Sequence, residues 1–189
     1  MNRGRSNKAI NVPNILTLGR LLLTPLFVIF LLRGQMVPAL AVFTLAGISD
    51  GLDGCIARWF NQRTVLGAYL DPIADKVLLV SAFVCLAILG SIPEWLAVIV
   101  LSRDILIVIG IAVLTLTEKP YRIRPSLVSK CTTVAQLVLV FMVLLAPGFP
   151  ESRVVRTPLV WLTAALTMIS GFHYLYIGMH MLNQDADGR

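Results

Sequence analysis

Six apolar runs, each about long enough to cross a bilayer as a helix, leave this chain few ways to fold. They cover roughly residues 13–32, 37–57, 65–90, 94–117, 127–147 and 157–181. About 20 apolar residues in helical conformation span the hydrocarbon of a membrane. The gaps carry turn chemistry: Gly34 with Pro38, Gly90 with Pro93, Pro120 with Pro125, and Pro147 through Pro150. Of the 189 residues, 57% are apolar and 14% charged. Soluble domains are roughly 45–50% apolar and about 25% charged, and one this short could not hide the excess. Composition therefore argues against a soluble enzyme, a nucleic-acid binder, a disordered chain and a disulfide scaffold. The expected fold is all-α: a polytopic membrane protein with six transmembrane helices. Residues 1–189 read as a single domain, with 1–12 an N-terminal segment and 182–189 a C-terminal tail.

Orientation follows from the loop cations. With the N-terminus inside, the inner segments hold Arg3, Arg5, Lys8, Arg58, Arg63, Lys119, Arg122, Arg124, Lys130 and Arg189, whereas the outer loops hold Arg33, Arg153 and Arg156. Both termini are then cytoplasmic, as is the segment around residues 58–64. The excess of 16 Lys and Arg over 10 Asp and Glu reads as topology, not as nucleic-acid affinity. The first apolar run resembles a signal peptide, but it is too long, Arg20 interrupts it and further spans follow, so it reads as a retained helix. Three cysteines, Cys55, Cys85 and Cys131, show no metal-ligand spacing, and Cys85 reads as a small core residue.

The acids are few, so their positions are informative. A carboxylate in hydrocarbon costs several kcal/mol and marks a polar, functional environment. Asp50, Asp53, Asp71 and Asp75 fall within 26 positions at the facing inner ends of the second and third runs. Asp50 and Asp53 are spaced i, i+3; Asp71 and Asp75 are spaced i, i+4. Either spacing puts a pair on one helix face. A short loop makes the two helices antiparallel neighbours, so four carboxylates can converge near the cytoplasmic surface. They would repel unless cations intervened. An all-oxygen set without Cys or His suits Mg²⁺, Mn²⁺ or Ca²⁺. Four carboxylates can bridge two such ions about 3.5–4 Å apart, the arrangement that serves phosphoryl displacement. Gly54, Ala57 and Gly67 are small where a ligand or a neighbouring backbone needs close approach, although helix packing in lipid asks for the same residues. Arg58 can pair with phosphate.

Together these residues form Asp50-x2-Asp53-Gly54-x2-Ala57-Arg58-x8-Gly67-x3-Asp71-x3-Asp75, which resembles, position by position, the signature of the CDP-alcohol phosphatidyltransferases. Asn11-Val-Pro-Asn14-Ile-Leu-Thr17-Leu-Gly-Arg20, Asp71-Pro72-Ile-Ala-Asp75-Lys76 and Ser129-Lys130-x2-Thr133-x2-Gln136 are also similar to that family, and the likeness runs over roughly residues 11–181. The resemblance implies six transmembrane helices and a homodimer with a polar cavity open to the cytoplasm. It implies two divalent cations, Mg²⁺ or Mn²⁺, on Asp50, Asp53, Asp71 and Asp75, with Asp75 also the general base for the acceptor hydroxyl. The implied donor is CDP-diacylglycerol and the implied leaving group is CMP. Gly54, Ala57, Arg58 and Gly67 would line the nucleotide pocket. Bacterial inner membrane is the expected location, with the site facing the cytoplasm.

Arg20, Arg103, Arg122, Arg124 and Lys130 are candidates for holding an acceptor phosphate. Arg122 and Arg124, with Lys119, also read as topology signals, and Arg103 also reads as a buried partner of Asp104. His173 and His180 read as packing residues, and Phe172, Tyr174 and Tyr176 as an interfacial aromatic belt. A basic pocket suits glycerol 3-phosphate or the head of phosphatidylglycerol. Size and opening sequence are similar to phosphatidylglycerophosphate synthases. Thr132 in place of a second lysine after Lys130, and Asp104 after Arg103, are more similar to eukaryotic-type cardiolipin synthases of the same family. Glycerol 3-phosphate is the expected acceptor, with phosphatidylglycerol the alternative. The rival class is a non-enzymatic ion transporter or channel, but the acids lie at one inner end and no inverted repeat is visible.

Overall fold

The computed structural model describes residues 12–59, 65–116, 127–148 and 152–183. Among them it is all-helical, with no strand. The helices are α1 (Val12–Leu32), α2 (Met36–Trp59), α3 (Val65–Ile88), α4 (Glu94–Leu116), α5 (Leu127–Leu145) and α6 (Ser152–Asn183). Each coincides with one of the six apolar runs. The largest departure is α6, which begins five residues before its run, at Ser152. Apolarity marks what can lie in hydrocarbon, whereas the backbone ladder continues through Arg156 and past Pro158.

Two of the expected breaks end their helices by the same device. Gly34 and Gly90 have φ of 69° and 64°, where a Cβ is strained and glycine is not. Gly34 N–H donates to Leu31 O (2.8 Å) and Gln35 N–H to Phe30 O (2.9 Å). Gly90 N–H donates to Ala87 O (2.9 Å) and Ser91 N–H to Leu86 O (2.8 Å). Both are Schellman caps, which satisfy carbonyls left over at a helix end. Pro38 follows in the first turn of α2, where a missing N–H costs nothing.

The chain forms two compact units, Met1–Cys85 and Leu86–Arg189. In the first, α1 packs on α2. Phe27, Leu31, Ala39, Phe43 and Ala46 are buried there, and the rings of Phe27 and Phe43 lie 5.6 Å apart. Cys85 of α3 is buried, as expected of a small core residue. In the second, α6 packs on both α4 and α5, burying Leu96, Val100, Leu139, Val140, Leu144, Val160 and Ala164. Small residues recur at these contacts because, where both solvent and core are apolar, close backbone approach drives association. Hydroxyls inside the helices fold back on their own carbonyls: Thr24 donates to Arg20 O, Thr44 to Leu40 O and Thr167 to Thr163 O.

The outward surface is apolar, with Leu22, Ile88, Leu127, Trp161 and Phe172 each more than 60% exposed. Leu127–Leu145 and the Val154–Met179 stretch of α6 are long and apolar enough to cross a membrane. Thr17–Leu32 and Met36–Ser49 are shorter apolar stretches. These features fit a membrane protein.

Candidate functional site

The carboxylate signature lies on two helices. Asp50, Asp53, Gly54, Ala57 and Arg58 belong to α2, and Gly67, Asp71 and Asp75 to α3. Neither helix is broken between its acids, so Asp50 and Asp53 share one face of α2 and Asp71 and Asp75 one face of α3. Among these eight residues, only Asp75 has a described side chain. The donors are all carboxylate oxygens, an oxygen-only chemistry that fits a hard divalent cation and not zinc or copper. Among the described side chains no group of three His, Cys, Asp or Glu is gathered.

Asp75 has a partner that its sequence neighbourhood does not announce. Arg20 Nη1 donates to Asp75 Oδ1, an ion pair joining α1 to α3. The guanidinium is 1% exposed and the carboxylate 46%. An arginine in the middle of an apolar helix must find a counter-charge or polar groups, and α3 supplies one across 55 positions of sequence. Arg20 therefore neutralises Asp75 from the buried side, while Asp75 keeps an exposed side.

Arg103 sits at the centre of a second polar cluster. Its Nη1 donates to Asp104 Oδ1 (2.7 Å), its Nη2 to Ser129 Oγ (2.6 Å) and Ser170 Oγ (2.8 Å), and its Nε also to Ser170 Oγ (3.2 Å). The guanidinium lies 5.9 Å from the centre of the Tyr174 ring, within cation–π range. Arg103 is 5% exposed and Asp104 7%. The cluster ties α4 to α5 and α6, using a planar fork that lysine could not reproduce. The pairing with Asp104 is the second of the two readings open in the sequence. Tyr174, grouped by sequence with an aromatic belt, packs on this cation, whereas Phe172 and Tyr176 face outward at 64% and 65% exposure. Ser129, Ser170 and Tyr174 were missed as partners. The available signal was the i, i+4 spacing of Ser170 and Tyr174 on α6.

Lys130, next to Ser129 on α5, is exposed. Arg122 and Arg124 lie outside the described residues. Farther along α5, Thr132 is fully buried, and its single hydroxyl hydrogen is shared between Val128 O (2.8 Å) and Leu166 O (3.0 Å). Gln136, also fully buried, reaches Thr167 Oγ1 at 3.4 Å. Ser129, Thr132 and Gln136 thus form a polar seam on one side of α5, toward α4 and α6.

Comparison with known proteins gives this arrangement a context. Residues 10–169 match the family model described as CDP-alcohol phosphatidyltransferase. The chain is 34% identical to the human cardiolipin synthase (CMP-forming), over 88% of this chain and 61% of that protein. It is 37% identical to a probable phosphatidylglycerophosphate synthase of Mycobacterium tuberculosis, over 91% of this chain and 83% of that protein. It is 30% identical to the chloroplastic CDP-diacylglycerol--glycerol-3-phosphate 3-phosphatidyltransferase 1 of rice, over 90% and 58%. The chain thus spans about three fifths of the human and rice proteins.

Proposed function

Because the chain belongs to the CDP-alcohol phosphatidyltransferase family, we propose that it transfers the phosphatidyl group of CDP-diacylglycerol to a glycerol-type acceptor and releases CMP. One observation carries the reading: Asp50 and Asp53 share a face of α2, and Asp71 and Asp75 share a face of α3. The acceptor hydroxyl attacks the phosphatidyl phosphorus, the bond from that phosphorus to the CMP oxygen breaks, and Asp75 takes the hydroxyl proton. Mg²⁺ or Mn²⁺, two ions on Asp50, Asp53, Asp71 and Asp75, would supply charge neutralisation at the pyrophosphate and at departing CMP. Gly54, Ala57 and Gly67 give the nucleotide room, and Arg58 pairs with its phosphate. The buried guanidinium of Arg20 holds Asp75 in place from α1. The acyl tails of the donor stay in lipid, so the protein mainly positions and screens the reacting groups.

The molecule is proposed to cross the bilayer six times, with both termini and the aspartates on the cytoplasmic side of a bacterial inner membrane, as a homodimer. Glycerol 3-phosphate is the first acceptor proposed, since the chain covers 83% of a probable phosphatidylglycerophosphate synthase to which it is 37% identical. Arg103 has its donors engaged inside α4, α5 and α6, so Arg122, Arg124 and the exposed Lys130 are assigned to the acceptor phosphate. Phosphatidylglycerol is the second reading, favoured by Thr132: where a phosphatidylglycerophosphate synthase often carries lysine, this chain buries a threonine against α6. The test gives purified protein CDP-diacylglycerol with each acceptor separately, in Mg²⁺ and in Mn²⁺, and identifies the lipid formed. Phosphatidylglycerophosphate from glycerol 3-phosphate is expected. Cardiolipin from phosphatidylglycerol alone would select the second reading, and no CMP release with any acceptor would favour a transporter.

A further inference from the structure

We propose that a groove between the first turn of α4 and the second and third turns of α6 binds the phosphate of a membrane phospholipid headgroup. The groove has a volume of about 370 Å³ and is lined by Pro93, Trp95, Arg156, Thr157, Val160 and Trp161. That volume lies at the lower end of the about 300–1,000 Å³ typical of small-molecule sites, a size suited to a headgroup and not to a whole lipid. It lies wholly within the unit Leu86–Arg189, and none of its residues belongs to the aspartate signature.

Its chemistry is that of a lipid–water boundary. The Trp95 and Trp161 rings lie 5.3 Å apart at an interplanar angle of 37°, and the two residues are 40% and 64% exposed. Indoles favour the headgroup level of a bilayer, with an apolar body and one N–H donor. Arg156 is the one cation in the lining, and Thr157 places a hydroxyl beside it. Among the described residues Arg156 has no ion pair; the neighbouring acid Glu94 is exposed and makes none with it. A guanidinium offers paired N–H donors that match phosphate oxygens. Val160, 5% exposed, closes the apolar floor. A phosphodiester seated on Arg156 and Thr157 would leave its acyl chains running along the exposed indoles. The proposal rests on the six-span topology, which puts this groove on the face away from the cytoplasm, and not on the reaction chemistry.

Trp59→Phe protein in dodecyl maltoside leaves Trp95 and Trp161 as the only tryptophans, so emission reports on the groove. Titration with dioctanoyl phosphatidylglycerol is expected to give a saturable change, and dioctanoylglycerol, which lacks the phosphate, none. Arg156→Gln is expected to weaken the response about tenfold, the effect of one charge-assisted hydrogen bond, with no change in melting temperature. Adding Arg122→Gln and Arg124→Gln, at the residues assigned to the acceptor phosphate, should leave the titration unchanged, separating the groove from the proposed active site. An unsaturable response, equal affinity in Arg156→Gln, or saturation by inorganic phosphate at the same concentrations would overturn the assignment to lipid.

Discussion

Arg103 and Arg20 show what a buried guanidinium does when no water can solvate it. Each finds an acid, but at opposite separations: Asp104 is the next residue, and Asp75 is 55 positions away. The first pairing was legible in the sequence as adjacency. The second was not, because the register of α1 against α3 is a property of packing and leaves no mark in either segment alone. Removing one partner of a buried pair costs about 3–5 kcal/mol, so Arg103→Ala is expected to lower the melting temperature in detergent sharply. Arg103→Lys should recover only part of the loss, since an ammonium cannot serve Asp104, Ser129 and Ser170 with one planar fork. Equal melting temperatures for Arg103→Lys and the parent protein would contradict the network.

At the level of the helix, the six apolar runs were readable because apolarity and turn residues alternate so sharply. The ends were readable only where a turn residue fixes them. Gly34 and Gly90 do so through positive φ, whereas the start of α6 lies in polar sequence that hydropathy ignores. Gly90→Ala would force a Cβ into the left-handed region at a cost of about 1–2 kcal/mol, seen as a lower melting temperature; an unchanged value would mean the cap had relaxed. The α5–α6 seam gives a sharper case. Thr132 is fully buried, and a lysine there must bring an ammonium into the contact. Thr132→Lys, which restores a pattern similar to phosphatidylglycerophosphate synthases, is therefore expected to destabilise the protein by several kcal/mol. A stable, well-expressed Thr132→Lys protein would show that the position opens toward a polar cavity. Thr132→Val, which loses the hydroxyl hydrogen shared by Val128 O and Leu166 O, should cost no more than about 1 kcal/mol.

Across the whole molecule, charge is scarce and its placement carries the functional reading. Ten acids occur in 189 residues, and four of them lie in the C-terminal half of α2 and the N-terminal half of α3. Their helical register was legible from spacing alone, because α2 and α3 run unbroken through both pairs. The acceptor was not legible: its candidate cations also set topology, and Arg103 proves to be engaged in packing. These carboxylates are proposed to hold the divalent cations that make CMP a leaving group, with Asp75 accepting the proton. The most direct measurement is CMP release from CDP-diacylglycerol, with acceptor present, by parent and Asp75→Asn proteins before and after chelation and readdition of Mg²⁺ or Mn²⁺. The parent is expected to release CMP, chelation to abolish that release and metal to restore it, with none above background from Asp75→Asn although it still binds CDP-diacylglycerol. Release that survives chelation, or full activity of Asp75→Asn, would contradict these roles.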